Sequence, residues 1–258
     1  MNIRLILNLT RQDFRDRYAG SILGIFWALI NPLVMITIYL MIFSEIMGAK
    51  LPGTSNLDSF SIYLISGLLP WLAFSNTIMR TTSVFQDKKN IITKVKVNLK
   101  SFPIYIALSE SLTFFVSIVV FLIIYFLFLN GKFTLILILP MFFLFFLQQS
   151  LAVALGLIFA LANVFFKDTK EFVSIFSNLW FWLTPIVWVP TIAPVWLQKA
   201  QESFNPAYWF ISGYREMFLF GTVPEFANLM SLMICFVILF VFGITLINIL
   251  EKDLRDFI

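Results

Sequence analysis

From Leu135 to Phe166 the chain runs without one charged side chain, and comparable apolar stretches recur along its 258 residues. A membrane-spanning helix needs about 20 consecutive, mostly apolar residues. A soluble domain could not hide such runs, because only 12% of the residues are charged while 60% are hydrophobic. The pattern predicts an all-α membrane protein with six transmembrane helices. They fall at about 22–47, 60–83, 103–129, 135–166, 172–189 and 226–250. Asn31-Pro32 lies inside the first and Pro70 inside the second, so both should kink where a ladder bond is lost. Four arginines precede the first run and no small-residue cleavage site comes after it, which reads as an uncleaved anchor.

Residues 1–18 differ in kind from the apolar spans. At helical spacing Arg4, Asn8, Arg11 and Arg15 share one face, while Ile3, Ile6, Leu7 and Phe14 gather on another. This predicts an amphipathic helix in the membrane interface, arginines toward lipid phosphates, the alternative being a cap packed on the bundle. Basic residues set the orientation. With the N-terminus inside, 13 Lys and Arg fall on the cytosolic side against 4 outside. The positive-inside rule then puts both termini in the cytosol, as six spans require. Between spans two and three, residues 86–100 are lysine-rich, with Ile91, Ile92, Val95 and Leu99 at near-helical spacing, predicting a short amphipathic cytosolic helix. The outer stretch 190–225 carries Trp196, Tyr208, Trp209 and Tyr214 and is too aromatic for a solvated loop. Short helices at the outer interface, bounded by Pro190, Pro206, Gly221 and Pro224, are expected there.

Several chemistries lack their residues. The sequence has no histidine and no G-x-x-x-x-G-K-[ST] phosphate loop, so neither a histidine-based metal site nor ATP binding by that route is open to it. Asp58, Asp87 and Asp168 all fall at loop edges, against an intramembrane aspartyl protease, and no catalytic, cofactor or metal constellation stands out. The lone Cys235 cannot form an intrachain disulfide. Glu110 is the one carboxylate well inside a span. An intramembrane charge is a functional hypothesis by default, and its bland counterpart is a helix-end residue paired with Arg80, Lys100 or a backbone group. Arg80 near a span end can snorkel.

Aromatic placement is more suggestive. Trp27, Asn31, Met35, Tyr39 and Phe43 recur every fourth residue, as do Phe172, Phe176, Trp180, Thr184 and Trp188. Such rows slant by about 40° per step around a straight helix. They either pack on neighbouring helices and lipid or offer ring faces along a conduit, where sugars stack and Asn31, Tyr39 and Thr184 supply hydrogen bonds.

The run Arg17-Tyr18-Ala19-Gly20-Ser21-Ile22-Leu23-Gly24-Ile25-Phe26-Trp27-Ala28-Leu29-Ile30-Asn31-Pro32 resembles the R-Y-x-x-S-x-L-G-x-x-W-x-x-x-x-P motif that opens ABC-2 permeases exporting O-antigen, capsule and teichoic-acid polymers. Lys167-Asp168, then Thr184-Pro185-Ile186 with Trp188, is similar to that family's R-D and S-P-I-x-W pattern, with lysine for the usual arginine and threonine for serine. Asn205-Pro206 and Tyr214-Arg215 come next, in the family's order. The resemblance implies one permease domain over 1–258 that pairs with a second copy of itself and with two separate nucleotide-binding ATPase subunits, which alone bind ATP. It implies ATPase contact through 1–18 and 86–100, here Arg4, Arg11, Arg15, Lys89, Ile91, Ile92 and Val95. It further implies that spans one and five line a channel at the dimer interface, here Trp27, Asn31, Tyr39, Phe43, Phe172, Phe176, Trp180 and Thr184, closed by outer gate helices in 190–225. The implied cargo is a lipid-linked polysaccharide crossing the plasma (inner) membrane, with membrane lipids but no nucleic acid as partners. A drug or lipid cargo on the same architecture is the first alternative. An ion-driven secondary transporter is the second, although neither inverted repeats nor midplane charges are visible.

Overall fold

The computed structural model describes residues 3–42, 57–94, 97–129 and 133–257, and every regular element among them is helical. Helix α1 spans Ile3–Asp16, α2 Trp27–Leu40, α3 Leu57–Asp87, α4 Lys89–Lys94 and α5 Ser101–Phe128. After these come α6 (Ile138–Phe165), α7 (Thr169–Leu183), α8 (Val195–Phe204), α9 (Pro206–Arg215) and α10 (Phe226–Phe257).

Among the described residues four helices are long and apolar enough to cross a membrane, namely Phe60–Asp87, Ser101–Phe128, Leu135–Phe165 and Phe226–Glu251. Burial ranks them. The most apolar window of α3 is 83% buried within the protein and that of α10 only 17%. Helix α3 is therefore the axis of the bundle, and α10 leaves most of its surface uncovered by the rest of the protomer. The tightest contact is between α3 and α6, where a Cβ placed on Gly156 would lie 2.7 Å from Cβ of Thr81. The absent side chain is what lets the two backbones approach. Gln148 of α6 also donates from Nε2 to the Pro70 carbonyl at 2.9 Å, tying α6 to the proline-bearing middle of α3.

The first expected span begins later, and the fifth ends earlier, than the sequence pattern suggested. Helix α2 starts only at Trp27. Residues 17–24 instead form turns in which Ser21 Oγ accepts from the Gly24 N–H at 2.9 Å. Gly24 has φ +51°, a conformation that a side chain would strain. The expected end of the first span, beyond Ile42, lies outside the described residues. Helix α7 stops at Leu183 because Thr184 turns extended ahead of Pro185, which has no N–H to continue the ladder. The short helices expected in 190–225 are present as α8 and α9. Pro206 opens α9, and the Asn205 side chain accepts from the Ala207 N–H at 3.0 Å.

Helix α1 buries Ile6, Leu9 and Thr10 while Ile3 and Leu7 stay exposed. Its apolar side is thus split. One part packs on the lower bundle with Phe85, Phe102 and Tyr105, and the other stays exposed.

Candidate functional site: an ion-paired clamp and three adjoining cavities

Four charged side chains meet where α1, α3 and α5 converge. Arg17 Nη2 lies 2.7 Å and Arg80 Nη1 2.6 Å from the same Glu110 oxygen, Oε1. Both arginines also reach Asp13, Arg80 through Nη2 to Oδ1 and Arg17 through Nη2 to Oδ2 at 3.4 Å. Ser109 donates to Asp13, and Arg17 Nη1 donates to Thr113 at 3.0 Å. Helical spacing explains the convergence. Asp13 and Arg17 are one turn apart across the end of α1, and Ser109 and Thr113 are one turn apart on α5. Burial works against the Asp13 carboxylate, but the Ser109 hydrogen bond and the charges of Arg80 and Arg17 outweigh it and hold its pKa below the usual aspartate value. Glu110 is thus paired with Arg80, one of the partners its bland reading expected, and with Arg17 as well. It is the shared anion of a two-arginine clamp joining three helices.

Beside this clamp lies a cavity of about 550 Å³ whose wall includes Arg17, Tyr18, Trp27, Asn31, Asn76, Arg80 and Glu110. A smaller one of about 130 Å³ adjoins it under α2, and a third of about 310 Å³ lies between α2, α3 and α7. Asn76 is part of the wall of all three. Between Phe60 and Phe85 every other residue of α3 is buried or half-buried, and Asn76 alone is exposed. Its amide makes no hydrogen bond with the described residues, and neither do those of Asn31 and Asn178. An unpaired amide costs free energy in a dry, apolar setting. All three are exposed in the protomer, so their amides are open to water or a polar ligand at the adjoining cavities. Ser174, Ser177 and the rings of Tyr39, Trp71 and Phe181 complete the third cavity.

The residues expected to line a channel divide into three groups. Trp27 and Asn31 border the first cavity and Tyr39 the third. Phe172 and Phe176 are exposed on α7, stacked at a centroid distance of 6.1 Å. Trp180 instead leans on Trp71 and Phe74 and donates from Nε1 to Asn205 Oδ1 at 2.8 Å. Thr184 is fully buried, its hydroxyl accepting from Asn205 Nδ2 at 2.9 Å. Asn205 therefore joins the end of α7 to the start of α9. Phe43 lies outside the described residues.

Of the residues expected to meet an ATPase, Arg4, Arg11, Arg15 and Lys89 are exposed. Ile91 is half-buried, and Ile92 is 4% exposed, packed with Val84, Phe85 and Leu99 in the lower core. The free face of α4 is Lys89, Asn90, Thr93 and Lys94. Val95 lies outside the described residues. Sequence reasoning missed Asp13, Asn76 and Asn178. Asp13 sits four residues before Arg17, a helical ion-pair spacing, and the two asparagines are polar residues set within apolar helices.

Set beside known proteins, residues 4–219 match the family described as ABC-2 type transporter. The chain is 28% identical over 253 residues to an O-antigen export system permease protein of Klebsiella pneumoniae, covering 96% of this chain and 92% of the relative. A second such protein from Klebsiella pneumoniae is 29% identical over 266 aligned positions at the same coverage. The O-antigen export system permease protein of Myxococcus xanthus is 26% identical over 229 residues, covering 88% of this chain and 85% of the relative.

Proposed function

Because this chain belongs to the ABC-2 type transporter family, we propose that it is the permease of an ATP-driven exporter that carries a lipid-linked, O-antigen-like polysaccharide from the cytosol across the inner membrane. The observation that carries this reading is the set of three cavities meeting at Asn76, with unpaired amides beside aromatic rings. A sugar chain needs both apolar faces for its C–H surface and scattered donors and acceptors for its hydroxyls. It also needs many weak contacts rather than one strong one, since tight binding would stall its passage. The names of the O-antigen permeases to which the chain is similar support the same cargo.

In this reading α2 and α7 of one protomer face those of a second copy, and the conduit runs between them. Leu33 and Ile38 on α2 and Ile175 and Leu179 on α7 are exposed in the protomer and leave an apolar surface on both helices that a second copy can pack against in place of lipid. Helices α8 and α9 close the outer end. Two ATPase subunits dock from the cytosol against α1 and the basic face of α4 and perform the hydrolysis.

Deletion of the gene in its host tests the proposal. Lipid-linked polymer should accumulate inside while surface polysaccharide disappears, and the wild-type gene should restore it. An Asn76→Leu gene should not restore it, because the change replaces the amide shared by the three cavities with an apolar side chain. Unchanged surface polysaccharide in the deletion strain would sink the proposal.

A further inference from the structure

We infer that the cavity of about 550 Å³ beside the Arg17–Glu110–Arg80 clamp binds an uncharged sugar unit of the polymer rather than its phosphate. The inference rests on the polysaccharide-export reading and adds which part of the cargo is held, and where.

Charge is the first ground. Two guanidinium groups in a cavity wall would ordinarily suggest a phosphate site. Here both are already engaged by Glu110 and Asp13, so two cations and two carboxylates cancel within contact distance. A phosphate would compete with Glu110 and Asp13 for arginines whose charge those carboxylates already balance. It would also sit against Glu110, whose residue is only 2% exposed.

The second ground is what the clamp leaves open. Both arginines bind Oε1, and Oε2 of Glu110 has no hydrogen-bond partner among the described residues. A carboxylate oxygen with its charge held in place by two arginines accepts strongly from a hydroxyl and repels an anion. Asn31 and Asn76 each add an unpaired carbonyl and amide group, and Trp27 adds a ring. Acceptors, amides and an aromatic face in one neutral cavity suit a polyol. At about 30 Å³ per water the cavity holds on the order of fifteen waters, so a sugar ring enters by displacing several of them.

The test uses the permease with its ATPase in lipid nanodiscs and saturation-transfer NMR, which reads weak binding. The probes are methyl glycosides of neutral hexoses, deoxyhexoses and N-acetylhexosamines, with inorganic pyrophosphate as the competitor. At least one glycoside should bind, and a tenfold excess of pyrophosphate should leave its signal unchanged. Asn31→Leu, which touches no member of the clamp, should reduce that signal at least fivefold with thermal stability retained. Glu110→Gln leaves the arginines under-compensated and should exchange glycoside binding for pyrophosphate binding. No glycoside binding to the wild type, or displacement of the glycoside by pyrophosphate, overturns the inference. An Asn31→Leu protein that binds as the wild type does overturns it too, whether or not Glu110→Gln folds. Export is read separately in cells. Polymer that depends on the gene to reach the surface, with no glycoside bound by the protein, refutes this site alone. Polymer that reaches the surface without the gene refutes the export reading instead.

Discussion

The guanidinium carbon of Arg215 lies 3.4 Å from the centroid of the Tyr63 ring, stacked on it in a buried position. Nε of Arg215 donates to the Tyr63 carbonyl at 3.3 Å and Nη2 to the Ile186 carbonyl at 3.1 Å. The Tyr63 hydroxyl donates to the Trp188 carbonyl at 2.8 Å. One cation thus fastens the end of α9 and the turn after α7 to the central helix. No carboxylate lies within ion-pair distance of it among the described residues, so its burial is offset only by a ring and two carbonyls.

That arrangement makes the conservative replacement the harmful one. Lysine keeps the charge, but its compact, strongly hydrated ammonium can neither stack flat nor reach both carbonyls. Arg215→Lys should cost about 2–4 kcal/mol, as a buried charge loses its partners. Arg215→Met removes the charge, keeps most of the volume and leaves the Ile186 carbonyl without its donor, a cost of about 1–2 kcal/mol. Thermal unfolding of both variants in detergent checks the order. A lysine variant more stable than the methionine variant would contradict it.

The contact between Gly156 and Thr81 gives a second prediction. Alanine at 156 would set its Cβ 2.7 Å from Thr81 Cβ and 2.9 Å from its Cγ2, so α3 and α6 must part along their closest approach. Gly156→Ala should destabilise by about 1–3 kcal/mol, as overpacking does. Removing the opposing side chain with Thr81→Gly should return part of that loss. The double-mutant cycle is the measurement, and additive effects would show that the two residues do not clash.

Much of the helical frame was legible because hydropathy over twenty residues is a strong signal, and the long runs from Phe60, Pro103, Leu135 and Phe226 are all helices. Which helix sits at the centre was legible only in part. The window of α3 is less apolar than that of α10, with mean hydropathy 1.4 against 2.8, because buried Ser and Thr side chains such as Ser66, Thr77 and Thr81 face the bundle, yet both helices read as spans. The boundaries of α2 and α7 shifted for backbone reasons, the left-handed Gly24 and the missing N–H of Pro185. Ile92 carried the spacing of an exposed docking face, yet its apolar side chain was claimed by the bundle core. At the candidate site Trp27, Asn31 and Tyr39 were visible through their spacing. Asp13 was hidden because α1 was read for its arginine and apolar faces. Asn76 was hidden because its exposure depends on how α2 and α7 leave α3 uncovered.

Asp13 predicts how α1 responds to pH. Its pKa is lowered in the folded protein, although burial alone would raise it, because Ser109, Arg80 and Arg17 favour the charged form. A carboxylate with a depressed folded pKa contributes stability that is fully present above the ordinary value of 3.8 and is lost as pH falls through the lower folded value. Helix α1 should therefore stay docked at pH 5 and loosen only in stronger acid. Asp13→Asn should loosen it already at pH 7. Hydrogen exchange across Ile3–Asp16 at pH 7 and pH 5 is the check, after correction for the intrinsic rates. Release of the wild-type helix by pH 5 would count against the clamp as its anchor.

The aromatic row on α7 separates packing from passage within one helix. Trp180 is half-buried, rests on Trp71 and Phe74 and holds Asn205, so Trp180→Ala should cost about 2–3 kcal/mol, less than for a fully buried ring. Phe172 and Phe176 stack on one another at the surface of the protomer, 59% and 43% exposed. Alanine at either position removes little packing within the protomer and should change its stability by less than about 1 kcal/mol. If the exposed rings face the cargo path, Phe172→Ala and Phe176→Ala should lower surface polysaccharide with the fold intact. Thermal stability in detergent and polymer export in cells, read for the same three variants, distinguish the cases. Loss of export by the two phenylalanine variants at wild-type stability supports a lining role. Normal export by both would assign Phe172 and Phe176 to lipid, and loss of stability in step with export would assign them to a packing contact.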